Sequence, residues 1–160
     1  MTISEYLSKL KTFNLLTEVS EIMRNDNGDL RELVKDQLYA GLDGDEKDLR
    51  PTYFEDPYFK SREAADRYSK WKDALSQRGE SIFAPRRSGT PNLIITGTAF
   101  YNRISVDVTD EIIVKSSGLS DKLISKYGES ILKLSKTAIG YYIEEKLFNK
   151  LKKRFNEHFS

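Results

Sequence analysis

The chain has 160 residues, 38% hydrophobic and 32% charged, enough for one domain with a hydrophobic core under a charged surface. Lys and Arg total 26 against 25 Asp and Glu, a near-balance unlike the basic excess of a dedicated duplex-binding protein. There is no cysteine, which excludes disulfides, zinc-thiolate sites and thiol nucleophiles. The start, Met1-Thr2-Ile3-Ser4-Glu5-Tyr6, lacks the basic and apolar regions of a signal peptide, and no run approaches the ~20 apolar residues of a membrane span. The protein is expected to be made and kept in water.

From Ile3 to Met23, Ile3, Tyr6, Leu7, Leu10, Phe13, Leu16, Val19, Ile22 and Met23 recur at three- and four-residue spacing, the stripe of one amphipathic helix. Thr2 and Ser4 both qualify as N-caps, and Asn25-Asp26-Asn27-Gly28 is expected to end the helix. A shorter helix follows from Leu30 to Tyr39, with Leu30, Leu33, Val34, Gln37 and Leu38 on one face. Gly41 to Asp45 has turn chemistry. The stretch from Asp48 to Tyr58, with Pro51 and Pro57, reads as an extended arm pinned by Tyr53, Phe54, Tyr58 and Phe59.

Helical composition returns from Ser61 to Leu75, with Ala64, Ala65, Tyr68, Trp71 and Leu75 in register. A polar loop from Gln77 to Pro91 carries Arg78, Arg86 and Arg87, and its length makes it a candidate mobile segment. After Leu93-Ile94-Ile95-Thr96-Gly97, residues Ile104, Val106 and Val108 alternate with Arg103, Ser105, Asp107 and Thr109. This is a period-two strand returning through Thr109-Asp110 into Ile112-Ile113-Val114. Ser120 to Tyr127 is a short helix stopped by Gly128. Lys136 to Phe159 is a long amphipathic helix with Ile139, Ile143, Leu147, Leu151 and Phe155 at four-residue spacing, and Tyr142 and Phe148 beside them. The expected fold is α+β in one domain, residues 1–160. It comprises a helical N-terminal part (1–40), an extended arm (41–60), a helix and mobile loop (61–90), and a hairpin with C-terminal helices (91–160).

Residues for catalysis are sparse. The only histidine, His158, lies near the end of the sequence, so Ser-His and Cys-His nucleophiles cannot be assembled. Asp43-Gly44-Asp45-Glu46-Lys47-Asp48 invites a calcium reading. An EF-hand wants an oxygen ligand fifth, Gly sixth and Glu twelfth, where this chain has Lys47, Asp48 and Phe54. A solvated acidic turn is the better account. There is no GxGxxG or GxxxxGK loop, and no catalytic residue, cofactor or metal is expected. Candidate phosphate contacts are Arg86 and Arg87 in the loop, and Lys152 and Lys153 within the run Lys150, Lys152, Lys153, Arg154. The plainer reading of that run is compensation of the helix dipole. The aromatics Tyr53, Phe54, Tyr58, Phe59, Tyr68 and Trp71 could stack bases, but core or interface packing is the commoner fate of such side chains. Tyr53, Phe54, Tyr58 and Phe59 are the candidate interface.

One ordered set of motifs goes further. Gln37-Leu38-Tyr39-x-Gly41-Leu42-Asp43-Gly44 and Leu49-x-Pro51-x-Tyr53 come first. Pro91-Asn92-Leu93-x-x-Thr96-Gly97-x-x-Phe100-Tyr101 follows, then an Ile/Val strand and Lys126-Tyr127-Gly128-x-x-Ile131-Leu132-x-Leu134. From Gln37 to Leu134 this resembles the virion-morphogenesis, or tail-completion, proteins of the head-tail junction of tailed bacteriophages. The resemblance implies a structural virion protein that is not an enzyme. It would be a neck subunit forming a cyclic homo-oligomeric ring between tail and portal-connector assembly, with Gly41, Gly44, Thr96, Gly97, Tyr127 and Gly128 in structural roles. Implied partners are further copies of the chain and other neck, portal-adaptor or tail-tube proteins, with contact to packaged DNA open and no membrane. Its place would be the virion, and the host cytoplasm during assembly. The alternatives are a nucleic-acid-associated binding module using Arg86, Arg87 and the C-terminal basic run, and a small carboxylate-dependent hydrolase.

Overall fold

A computed structural model describes residues 2–75, 79–93, 101–117 and 120–160. The fold is α+β: among the described residues, helices accompany a two-stranded antiparallel sheet that packs on α3 and α2. In order, the regular elements are α1 (Ile3–Thr12), α2 (Leu15–Asn25), α3 (Asn27–Tyr39), α4 (Arg62–Leu75), β1 (Ser105–Val108), β2 (Ile112–Lys115), α5 (Ser120–Tyr127), α6 (Lys136–Tyr142) and α7 (Phe148–Phe159). Short 3-10 turns occupy Tyr101–Arg103 and Glu129–Leu132.

α3 is the centre. Leu30, Leu33, Val34, Gln37 and Leu38 are all buried, the face expected from their spacing. β1 lies across it, with Ile104, Val106 and Val108 inward and Ser105 and Asp107 outward. The register pairs Val106 with Val114 and Val108 with Ile112. A one-residue slip would turn these valines to solvent, so the burial of one sheet face sets the pairing. Gln37, fully buried, donates to the Lys133 carbonyl (3.0 Å) and accepts from the Ser135 N–H (2.9 Å). Ser135 Oγ in turn accepts from Ala138 N–H and caps α6. One buried amide thus ties the central helix to the start of the last helical segment.

The helices at the two ends of the sequence differ from their sequence reading. The single N-terminal helix is two, because Phe13 takes an extended conformation and Asn14 caps α2 by accepting from Thr17 N–H. Thr2 and Glu5 form the capping box of α1. Asn25 to Gly28 ends α2 but also opens α3, which begins at once at Asn27.

The long C-terminal helix is continuous in direction but contains a π turn at Ile143–Leu147. The side chains facing the core are Ala138, Tyr142 and Leu147, followed by Leu151, Phe155 and Phe159. The Tyr142-to-Leu147 step is five residues where the others are four, and a π turn supplies the extra residue. Ile143 is thereby moved off the buried face and is 44% exposed. Tyr142, fully buried, donates its hydroxyl to Asp26 (2.9 Å), which also receives the Lys150 ammonium. Burial, and then the bond to Asp26, push the Tyr142 phenol up beyond the ordinary tyrosine range.

The two N-terminal helices lie against α7 through α2 and a ring cluster, with Tyr6 4.8 Å from Phe159 and Phe13 5.2 Å from Phe155. The His158 ring nitrogen meets the Lys9 carbonyl at 2.9 Å.

Candidate functional site: an aromatic and cationic cleft

The stretch expected as an extended arm is a succession of turns. Glu55 and Asp56 N–H groups bond to the Thr52 carbonyl, Phe59 N–H bonds to the Asp56 carbonyl, and the Glu55 carboxylate accepts from Thr52 N–H. Local side-chain caps compete with extended backbone here, as Asp, Glu and Thr near prolines allow. Tyr53 N–H donates to the Gly89 carbonyl (2.8 Å), and its ring is buried against α4.

α4 is rotated from its expected register. Its buried face is Ala65, Ser69 and Lys72, while Trp71 and Leu75 are exposed. Small side chains at Ala65 and Ser69 let other backbone approach, and Gly89 N–H donates to Ser69 Oγ (3.1 Å). From the buried Tyr53 a ladder of rings climbs to the surface. Tyr53 and Phe59 each lie 5.1 Å from Tyr68, which lies 5.4 Å from Trp71; Tyr58 lies 5.2 Å from Phe59. The Tyr53–Tyr68 and Tyr58–Phe59 contacts are edge-to-face, which suits the ring quadrupoles.

Tyr53, Phe59, Tyr68, Lys72, Lys126 and Tyr127 line a cleft of about 200 Å³ at the foot of this ladder. Lys72 is only 4% exposed, its ammonium 6.0 Å from the Tyr68 ring centre. Burial, with the positive Arg86 nearby, pulls its pKa down to about 8. Burial also raises the Tyr53, Tyr68 and Tyr127 phenols, so all three stay protonated at neutral pH. Burial opposes ionisation of Asp56, but the Lys126 ammonium and Tyr58 N–H outweigh it and keep its carboxyl below the usual range. The cleft therefore presents rings and hydrogen-bond donors, and its one carboxylate is bound to Lys126.

Of the expected interface residues, Tyr53 is an internal anchor, Phe59 is half-buried, and Phe54 and Tyr58 are exposed, Tyr58 at 79%. Phe54 lies against Gly89 with the Arg62 guanidinium 5.5 Å above its ring. Lys72 and Lys126 were not legible as members of the site. The available signal was the i, i+4, i+7 spacing of Ala65, Ser69 and Lys72, which marks a close-packed face.

Arg86 does not point outward as a phosphate contact. Its side chain turns inward to Asp73 and the Thr90 carbonyl, because a guanidinium beside a carboxylate and a free carbonyl is better satisfied there. Arg87 is exposed and pairs with Asp48 at 2.7 Å. Lys152 is exposed with no carboxylate partner among the described residues, and Lys153 is 3.9 Å from Glu157. Arg154 donates to Glu18 and Glu21 on α2 (2.7 and 2.8 Å).

The resemblance motifs interlock. Leu49 N–H bonds to the Gly41 carbonyl, and Gly44 N–H to the Ser130 carbonyl. Gly41 has φ of 75°, and a side chain there would meet Thr90 Cγ2 at 2.6 Å. At Gly44 a Cβ would overlap Lys133 Cβ and come within 2.8 Å of the Lys133 carbonyl oxygen. Asp43 spends its carboxylate on the N–H groups of Asp45 and Lys47 and on Ser130 Oγ. Gly128, with φ of 89°, ends α5 beside Tyr127. Thr96, Gly97 and Phe100 lie outside the described residues.

No family model, curated protein or solved structure matches the chain. Among the described residues, no group of three or more His, Cys, Asp or Glu side chains could hold a metal ion, and no helix is long and apolar enough to cross a membrane.

Proposed function

We propose that the chain is a structural neck, or tail-completion, subunit of a tailed bacteriophage, working by contact within a ring at the head-tail junction. The observation that carries this reading is exposed apolar surface beside an enclosed core among the described residues. Leu30, Leu38, Ile131 and Tyr142 are fully enclosed, yet Ile3, Leu7, Leu16, Tyr58, Trp71 and Phe148 stand in solvent. Contiguous apolar surface marks binding sites between proteins, and Ile3 and Leu7 stand about one turn apart on α1. The order of the motif segments, and their packing onto one another around Gly41 and Gly44, supports the same reading. The nucleic-acid reading has less behind it, since Arg86, Lys150 and Arg154 are engaged by Asp73, Asp26, Glu18 and Glu21.

The test is assembly. Purified protein is incubated with tail-less phage heads that carry a portal, and with heads that lack one, and both are sedimented. Co-sedimentation with portal-bearing heads alone is expected. Equal recovery with both, or with neither, refutes the proposal.

A further inference from the structure

The cleft at the foot of the ring ladder has no part in the neck reading, and its chemistry selects a ligand of its own. Four separate segments wall it: the turns carrying Tyr53 and Phe59, α4 with Tyr68 and Lys72, the stretch with Pro91 and Leu93, and α5 with Lys126 and Tyr127. Distant segments converge on one hollow, and a lysine only 4% exposed stands in its wall, which is the construction of a small-molecule site.

Size and charge narrow the guest. At about 200 Å³ the space is below that of drug-sized ligands, too little for a nucleotide or a fused-ring cofactor. Among the described residues the wall holds two ammonium groups, Lys72 and Lys126, and one carboxylate, Asp56, which is bound to Lys126. No Asp or Glu lies outside the described residues. The wall therefore carries one net positive charge, and a monoanion balances it. A phosphate monoester brings roughly two negative charges and leaves part of that charge uncompensated away from water. A quaternary ammonium, the usual guest of aromatic walls, meets two like charges here. Tyr68 already takes Tyr53 edge-on, at 5.1 Å and 82°, and a further ring extends the same packing.

We infer that this cleft binds a small aromatic monocarboxylate, a single ring with a short acid arm, its carboxylate held by Lys72 and its ring packed among Phe59, Tyr68 and Tyr127. The lysine supplies a charge-assisted hydrogen bond to the acid. The rings supply apolar area and a preference for a flat guest. The assignment is independent of the neck function, and neither stands or falls with the other.

The probe is phenylacetate, titrated calorimetrically into the full chain at pH 7. A dissociation constant of about 1 mM or tighter is expected, the scale for one ring and one acid group. Benzyl alcohol, without the charge, and phenyl phosphate, with too much of it, should each bind at least about tenfold more weakly. Cyclohexylacetate, of like charge but without a flat ring, should lose about threefold.

Raising the pH from 7 to 9 should weaken phenylacetate binding about tenfold, because Lys72, pulled down to about 8 by burial and by Arg86, loses its charge over that interval. Around it stand Tyr53, Tyr68, Tyr127, Asp56, Lys126 and Arg86. The three phenols are raised and the carboxyl is lowered, so none of these four titrates over the same interval. Lys72→Met, its fold checked by circular dichroism, should abolish binding, and the wild-type pH profile asks the same question without a substitution.

No binding at about 10 mM phenylacetate, or a flat pH profile, overturns the inference. So does unchanged binding in folded Lys72→Met, or benzyl alcohol, phenyl phosphate or cyclohexylacetate binding as well as phenylacetate.

Discussion

The π turn in the last helical segment makes a sharp prediction, because it decides which of two residues four apart supports the core. Leu147 is 8% exposed, and Ile143 is 44% exposed. Truncating Leu147 to Ala removes buried carbons and leaves a partly relaxing cavity near the edge of the core, so the cost should fall at the low end of the usual range, about 2–3 kcal/mol. Truncating Ile143 to Ala removes a half-exposed side chain and gains a few tenths of a kcal/mol of helix propensity, leaving a net change within about 0.5 kcal/mol. Urea unfolding followed by circular dichroism gives both values, provided the m-value is unchanged and the difference appears in the midpoint. An uninterrupted four-residue stripe would bury both side chains. If Ile143→Ala costs as much as Leu147→Ala, the register argued from the π turn is wrong.

Three further outcomes are expected. In the hairpin, Val106→Asp should cost on the order of 3 kcal/mol or more by burying an unpaired carboxylate. Asp107→Ala, which removes only a surface pair with Lys115 at 2.7 Å, should cost less than about 0.5 kcal/mol, and the reverse order in urea midpoints would mean a slipped register. Gly44→Ala should destabilise by about 1–3 kcal/mol, because its Cβ meets Lys133 and Ser130 backbone. Gly140→Ala, with nothing within 4 Å inside α6, should stabilise by up to about 1 kcal/mol, and a melting temperature lowered by Gly140→Ala would count against the packing. Lys72 titrates near 8 when folded and at its ordinary 10.5 when unfolded, so between these values the unfolded chain holds more protons and stability rises with pH. Above about 10 the raised Tyr53 and Tyr142 phenols reverse the slope. Thermal melts across pH 8–10 should show the rise in wild type and its loss in Lys72→Met, and a flat wild-type profile would refute the buried ammonium.

What the sequence discloses about this fold follows from how local the deciding interaction is. The buried face of α3 and the inward valines of β1 are periodic patterns with one solution each, and both faces are as their spacing implies. The Gly128 stop is equally local, since φ of 89° suits glycine. The break at Phe13-Asn14 is local too, but it hides inside an apolar spacing that runs on regardless. The π turn and the rotation of α4 depend on distant partners: Tyr142 is held by Asp26, and Ser69 by Gly89. No periodicity within either helix encodes those bonds. At the cleft, the aromatic residues were visible as a cluster. Lys72 and Lys126 were not, because a lysine on a helix ordinarily signals a solvated face; packing over α4 encloses Lys72, and Lys126 joins the cleft from α5 through its pair with Asp56.

The contacts between α1, α2 and α7 also bear on when the chain can finish folding. His158 and Lys9 touch across 149 positions of sequence, and Arg154 reaches back to Glu18 and Glu21. The docking surface for α1 and α2 is therefore synthesised after every other described element of the fold. At ordinary translation rates Tyr6 and Phe13, which meet Phe159 and Phe155, wait on the order of ten seconds or more without their partners. During that interval the segment carrying them is the part of the nascent chain most open to chaperones, and to pairing with another chain on the same messenger. Co-translational capture should accordingly fall away only once α7 has left the ribosome.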